Sequence, residues 1–352
     1  MTLLRVGVVL GGRSSESEIS LESGRNILAN LDPSRFTAVP IYMDAAGRLW
    51  EIGLPHLVQN TTRDLEARLA HGALPLAFED LPQRVDFVYI GLHGKYGEDG
   101  CFQGLLELLD LPYSGSGVLG AALGMDKRVQ RRLLAQAGID VPRTVAVAQE
   151  DWAADPAGRL AAAVAAVGFP AVVKPSREGC STALAVVQDK AALAAAVGEA
   201  LAWDRHALVE EHLSGTEVTV VVLEDEQGRP RAFAPTETPP KGDFLTIEEK
   251  FLPGQGMNIT PARLPQETLA AVREAAERSF QALGLRVFAR VDMYVTDDGR
   301  IVVGEPNTLP GSSPSSTIFL GPIEEGIGPM ALVSLIIERS LAAHQAKKGP
   351  LD

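Results

Sequence analysis

Residues 290 to 307 read RVDMYVTDDGRIVVGEPN, two runs of strand-like alternation separated by Asp298-Gly299. An Asp-Gly pair between such runs is the strongest short-range signal for a two-residue hairpin turn. With Asp297 set opposite Arg300, stepping the pairing outward puts Asp292 opposite Glu305 and Arg290 opposite Asn307. Side chains alternate along a strand, so these four project from one face. Two acids directly opposed repel unless a cation sits between them or one takes up a proton. The oxygens of Asp, Glu and Asn are hard donors suited to magnesium, which keeps several waters and shares substrate phosphates. A solvated sheet end, with Arg290 balancing the acids, is the other reading of the same pattern.

The chain of 352 residues is too long for one small core and suggests two or three domains. Its composition, 46% hydrophobic and 22% charged, is that of a soluble globular protein. A net charge of -13 with no lysine-rich run argues against a nucleic-acid partner. Any phosphate ligand therefore needs locally gathered lysines, arginines, backbone amides and metal. Only two cysteines occur, Cys101 and Cys180, and the sequence enters the strand-like LLRVGVVLGG at once, without the pattern of a secretory leader. The expectation is a cytoplasmic protein with free thiols. No apolar run is long enough to span a bilayer, so no membrane partner is expected.

The first segment alternates strand and helix patterns: RVGVVLGG, ISLESGRNILANL, FTAVPIYMD, VDFVYIGLHG and CFQGLLELLDL. Such alternation predicts an α/β unit with a parallel sheet. Ligands of such sheets sit beyond the strand carboxyl ends, which places Glu16 and the loop HGKYGEDG at 93 to 100 on the functional rim. Gly115, Gly117 and Asp126 mark a change of unit before the basic helix DKRVQRRLLAQAG. A second unit has an alanine-rich helix near 157 to 167, strands PAVVKP and ALAVV joined by SREGCST, a helix from about 190, and ALVEEHL. A third begins with EVTVVVLE, passes through a long loop, and continues with a helix near 265 to 282 and the hairpin. A loop of that length inside a compact domain is more often a functional lid than filler.

Lys174 ends a buried-looking strand beside a glycine-containing loop, where a lysine and backbone amides can hold nucleotide phosphates together. An ordinary surface lysine before a turn is the plainer reading. Glu210, Glu211, Leu213 and Glu217 alternate around VEEHLSGTE; a nucleotide could use this stretch for adenine and ribose, although an acidic strand edge is the commoner cause. His93, in the glycine-rich rim loop, either orients a substrate or caps a carbonyl. His56 and His206 have no partner at metal-ligand spacing and read as surface residues.

Taken in order, GGRSSESEISLESG, HGKYGEDGCFQG, PYSGSGV with MDK, VVKPSREG, EEHLSGTE, RVDM and GEPNTLPG resemble the D-alanine D-alanine ligases of the ATP-grasp superfamily, from about Val6 to the last helix. The resemblance implies an ATP-grasp fold of three domains: an N-terminal, Rossmann-like parallel-sheet domain at 1–125, a central domain at 126–215, and a C-terminal domain at 216–352 with a lid at about 236–262. It implies ATP held between the latter two. It also implies two magnesium ions, which manganese can replace, and D-alanine as substrate of both halves of the reaction. Carried over by motif, Lys127 and Lys174 would contact ATP phosphates, Glu210, Glu211 and Leu213 would border adenine, and Glu217 would bind ribose. Asp292, Glu305 and Asn307 match the magnesium ligands. Glu16 matches the acid that fixes the first substrate's ammonium group. Arg290 and the backbone N–H of Gly311 match donors aimed at the negative oxygen of a tetrahedral intermediate, where such groups contribute roughly 3 to 4 kcal/mol each. Ser316 and Lys250 match groups that receive the second carboxylate. The resemblance further implies a homodimer joined through helices of the first domain.

Two positions depart from the family pattern. Cys180 stands where a serine is usual, and Phe251 where a tyrosine follows the lid lysine. In the family those two hydroxyls and the acid equivalent to Glu16 form a hydrogen-bonded set joining lid to floor. A thiol is a weak donor and a phenyl ring has none. One such bond is worth about 0.5 to 1.5 kcal/mol net, so lid closure survives its loss. Acceptor choice is more exposed: phenylalanine at this position accompanies D-lactate use in related ligases. Dipeptide synthesis, a D-lactate or D-serine ligase, and a nucleotide-binding homologue without turnover are therefore the readings to separate. Ser312-Ser313, in place of a larger residue and threonine, is a milder departure.

Overall fold

The computed structural model describes residues 3–179, 182–239 and 257–347 and arranges its strands in three sheets. Cys180, Lys250 and Phe251 lie outside the described residues. The first sheet contains β1 (Leu4–Gly11), β2 (Phe36–Met43), β3 (Leu49–Glu51), β4 (Leu74–Leu76) and β5 (Phe87–Ile90), in the order β4-β3-β2-β1-β5. Its centre is parallel, as the strand-helix alternation predicts, with β1 flanked by β2 and β5. The half beyond β2 corrects the expectation of a parallel sheet, because β3 pairs antiparallel with β2 and β4 antiparallel with β3. Between β2 and β3 the chain turns within Asp44–Arg48, where Gly47 adopts φ +84° and Asp44 N bonds Arg48 O at 2.9 Å. So short a link leaves no room for the crossover a parallel neighbour requires.

The second sheet contains β6 (Thr144–Ala148), β7 (Ala171–Pro175), β8 (Ala185–Val187) and β9 (His206–Glu211), ordered β6-β9-β7-β8 and antiparallel throughout. Glu210 and Glu211 therefore end an interior strand and are buried, which overturns the acidic-edge reading. The third sheet contains β10 (Gly215–Glu224), β11 (Pro230–Ala232), β12 (Thr236–Glu237), β13 (Phe288–Thr296) and β14 (Ile301–Asn307), with β10 and β13 central. The long loop is tied at both described ends: Glu237 bridges Ile259, and Thr238 Oγ1 donates to Asn258 Oδ1 at 2.7 Å.

Four helices position the site: α1 (Ser17–Ala29), α2 (Lys127–Gln136), α3 (Gln266–Ala282) and α4 (Pro329–Lys347). The start of α2 is fixed by Asp126, whose side chain accepts from Val129 N. One apolar core joins the first sheet to Val221, Leu223 and Phe233 of the third segment and to Leu332, Ile336 and Ile337 of α4. Two smaller cores lie under α3 and within the second sheet. His56 corrects the surface assignment: it is 3% exposed, with Nε2 3.2 Å from Arg68 O.

Candidate active site

The carboxylate hairpin is present, but it is built differently from the sequence expectation. Thr296, not Asp297, pairs with Arg300, through Thr296 N to Arg300 O at 2.9 Å. Residues 297–299 form a three-residue loop that Gly299 closes at φ +86°, a conformation the two-residue reading did not anticipate. Val295, Tyr294 and Met293 then face Ile301, Val302 and Val303, one residue out of the expected register. A bulge at Gly304 restores it, so Asp292 faces Glu305 and Arg290 faces Asn307 as expected. Only glycine fits the bulge, since a Cβ there would lie 2.9 Å from the Asp292 carbonyl oxygen.

All four side chains line one cavity with Glu16, His93, Lys127, Gly179 and Gly311. The repulsion between the paired acids is relieved by cations. Arg290 grips Asp292 through Nε–Oδ1 at 2.9 Å and Nη2–Oδ2 at 2.7 Å. Thr219 Oγ1 of neighbouring β10 donates to the same Oδ1 at 3.0 Å. Lys127 Nζ lies 3.2 Å from Glu305 Oε2 and donates to the Glu178 carbonyl at 2.9 Å. Burial opposes the charge on Glu305, yet Lys127, Lys174 and Arg131 hold its carboxyl far below the usual range. Burial likewise opposes the charge on Arg290, and Asp292 outweighs it, keeping the guanidinium above its ordinary value.

Behind these lies a second buried cluster. Glu210 receives Arg131 Nε at 2.9 Å on one oxygen and Lys174 Nζ at 2.8 Å on the other. Burial raises its pKa, but Arg131 and Lys174 prevail and bring it down to about 2. Lys174 is thus a half-buried ion-pair member rather than a surface lysine. Glu211 points elsewhere, to Arg143 Nε at 2.8 Å, and Glu217 accepts from Tyr294 Oη at 3.2 Å. Leu213 is half-buried. Glu210, Glu211, Leu213, Glu217, Lys174 and Ser316 are not among the residues lining the cavity.

At the opposite wall Glu16, 8% exposed, packs so closely on Gly179 that a Cβ there would lie 2.2 Å from Glu16 Oε1. His93 is buried; its Nε2 lies 2.8 Å from Ser23 Oγ, and its Nδ1 3.4 Å from Glu98 Oε1. Ser23 Oγ also accepts from Ser312 N at 2.9 Å, while Asn26 Nδ2 donates to Ser312 O at 2.8 Å. One face of α1 thereby fixes the turn containing Gly311. Ser316 Oγ meets Ser313 Oγ at 2.9 Å, so the second serine of the Ser312-Ser313 departure adjoins the expected acceptor group.

Arg131, Thr219, Ser23, Asn26 and Glu98 were not singled out from the sequence. Arg131 lies one helical turn after Lys127 and shares its face, and Ser23 and Asn26 are spaced three apart; these are the signals that were there to be read. The assembled groups suit an anionic, metal-bound phosphate beside a bound ammonium. Hard oxygens gather at the hairpin, three cations stand against Glu210 and Glu305, and a buried carboxylate, Glu16, lies across the cavity.

The second and third sheets, spanned by Lys127 of α2 between Glu178 O and Glu305, have the arrangement of an ATP-grasp ligase. Family models described as D-ala D-ala ligase N-terminus and D-ala D-ala ligase C-terminus match residues 5–116 and 133–338. The D-alanine--D-alanine ligase of Geobacillus thermodenitrificans (strain NG80-2) is 33% identical over 356 residues, covering 98% of this chain and 97% of that protein. A Bacillus anthracis D-alanine--D-alanine ligase solved with ATP is 30% identical, with a TM-score of 0.74 over 98% of this chain and 100% of that one. VanG, a D-Ala:D-Ser ligase from Enterococcus faecalis, is 28% identical, with a TM-score of 0.81 over 96% and 100%. The chain belongs to the D-alanine D-alanine ligase family.

Proposed function

We propose that the protein joins two D-alanines with ATP, as a step in making peptidoglycan precursors. The carboxylate of the first D-alanine attacks the terminal phosphorus, and ADP leaves. The amine of the second attacks the acyl carbon of the resulting D-alanyl phosphate, and phosphate leaves as the amine gives up its proton. Lys127 and Lys174 hold phosphates, residues 210 to 213 border adenine, and Glu217 binds ribose. Glu16 holds the first ammonium group, and Arg290 and Gly311 N–H receive the tetrahedral oxygen. Ser316 and Lys250 receive the second carboxylate. The oxygens of Asp292, Glu305 and Asn307 fit magnesium, one ion or two, or manganese in its place. Bound there, the metal would neutralise phosphate charge.

The observation that carries this reading is Arg290 on Asp292 beside Lys127 on Glu305: a nucleotide-binding module needs the metal and phosphate groups, but not an arginine placed for an acyl oxygen. The domain limits stay at 1–125, 126–215 and 216–352. No single helix among the described residues is long and apolar enough to cross a membrane, which is compatible with a cytoplasmic site of action. A homodimer would cover Leu108 and Leu119 of the first domain, 88% and 72% exposed.

A second reading, a D-alanyl-D-lactate or D-alanyl-D-serine ligase, is favoured by Phe251 and by the likeness to VanG. ADP formation with D-alanine alone, then with D-lactate or D-serine added across a pH series and products weighed by mass spectrometry, separates them. D-alanyl-D-alanine alone supports the first reading; D-alanyl-D-serine, or preferential depsipeptide near neutral pH, supports the second and makes Phe251 a specificity switch. No ADP under any condition would leave the homologue without turnover.

A further inference from the structure

The bulge at Gly304 decides where Glu305 points. If the register set at the turn continued unbroken, Asp292 would face Gly304, and Glu305 would sit opposite Val291 on the other face of the hairpin. The extra residue has no place in the ladder, and its carbonyl must be satisfied by something else.

That partner is Arg131, whose Nη1 donates to Gly304 O. The same guanidinium carries the Nε bond to Glu210, and Glu210 in turn holds Lys174. Lys127, one turn earlier on the same face of α2, reaches the next residue of the strand, Glu305. One face of one helix therefore contacts two consecutive residues of the bulge. Arg131 is 5% exposed, and its third nitrogen, Nη2, is buried with no hydrogen-bond partner among the described residues. A group that leaves a buried donor unmet bears a cost, which its other two bonds must offset.

We propose that Arg131 is a positioning residue for ligation: its planar fork ties the Lys174–Glu210 pair to the bulge carbonyl and so holds Glu305 opposite Asp292. The assignment rests on the proposed role of Glu305 toward the metal. A lysine supplies the charge but not two donors at fixed angles, so charge and geometry can be separated by substitution.

The test is Mn2+ binding in the presence of ADP, followed by the paramagnetic resonance of free Mn2+, for the wild type, Arg131→Lys, Arg131→Met and Gly304→Ala, with thermal unfolding of each. Groups that orient metal ligands typically alter affinity by about 10- to 100-fold. Arg131→Lys and Gly304→Ala are each expected to weaken Mn2+ by that range while remaining folded, and Arg131→Met by at least as much. In turnover the KM for ATP is expected to rise more than kcat falls. An Arg131→Lys protein that binds Mn2+ as tightly as the wild type would overturn the assignment, because charge alone would then suffice. Should Arg131→Met fail to fold, the lysine and alanine variants still decide. A wild type that binds Mn2+ but forms no ADP from ATP and D-alanine overturns the proposed activity; the metal affinities then decide the role of Arg131 independently.

Discussion

Arg290 and Asp292 stand two residues apart on one strand and are joined by two bonds, 2.9 and 2.7 Å long. The pair serves two ends: it quiets the charge of an acid that faces another acid, and it fixes the guanidinium over the cavity. Removing it with Arg290→Met is expected to lower kcat about 10²- to 10³-fold, the range for losing one oxyanion donor. ADP affinity should stay within several-fold. Single-turnover formation of D-alanyl-D-alanine checks this, and near-normal dipeptide formation would remove Arg290 from the acyl transfer.

Thr219 approaches Asp292 from the adjacent strand, and its hydroxyl is the group that matters. Thr219→Val keeps the shape and loses the donor, with an expected fall in Mn2+ affinity of roughly tenfold, at the low end for groups behind a metal ligand, the role proposed for Asp292. Thr219→Ser should bind like the wild type. Titration calorimetry of the two variants distinguishes a lost bond from lost packing.

Gly179 leaves room for Glu16 and nothing more. An alanine there must push the flexible carboxylate aside. Misplacement of about 1 Å can cost roughly 10²-fold, so kcat/KM for the first D-alanine is expected to fall by that order, with a smaller change in ADP affinity. Initial rates against D-alanine concentration give the answer; an unchanged KM would detach Glu16 from substrate binding.

The Glu210 cluster predicts an acid limb in the stability profile. Its folded pKa, about 2, lies below the ordinary 4.5, so the ionised form is favoured by folding. The contribution is present above about pH 4.5 and is lost as pH falls toward 2. Glu210→Gln removes this limb, yet leaves Arg131 and Lys174 facing a neutral amide, at a cost of about 3 to 5 kcal/mol near neutrality. Urea unfolding at a series of pH values should show a lower and flatter curve between pH 2 and 4.5 than the wild type; an identical acid slope would place the linkage elsewhere.

How far the sequence could be read is clearest at the hairpin. Asp298-Gly299 located the turn and the alternation named the right four residues, but the pairing was reached by two departures that cancel: a longer loop and a bulge. Both depend on backbone torsions at Gly299 and Gly304, which residue identity alone does not set. The motif resemblance carried Lys127, Lys174 and Glu16 to the site or its rear. Thr219 stayed hidden because a lone polar residue in an apolar strand looks alike whether it faces solvent or a partner far along the chain, and Ser23 and Arg131 because each lies among other polar residues of its helix. The antiparallel β3 and β4 were missed for a related reason, since three-residue strands carry too little alternation to show direction.

The last helix completes the first core. Leu332, Ile336 and Ile337 share apolar packing with β1 and β5, Arg35 pairs with Glu338 at 2.5 Å, and Gly115 N reaches Ser340 Oγ. During synthesis, then, the first sheet cannot finish packing until α4 has also left the ribosome. Its apolar flank stays open while the two intervening sheets are made, and a chain truncated before α4 would expose that flank to solvent or to other chains.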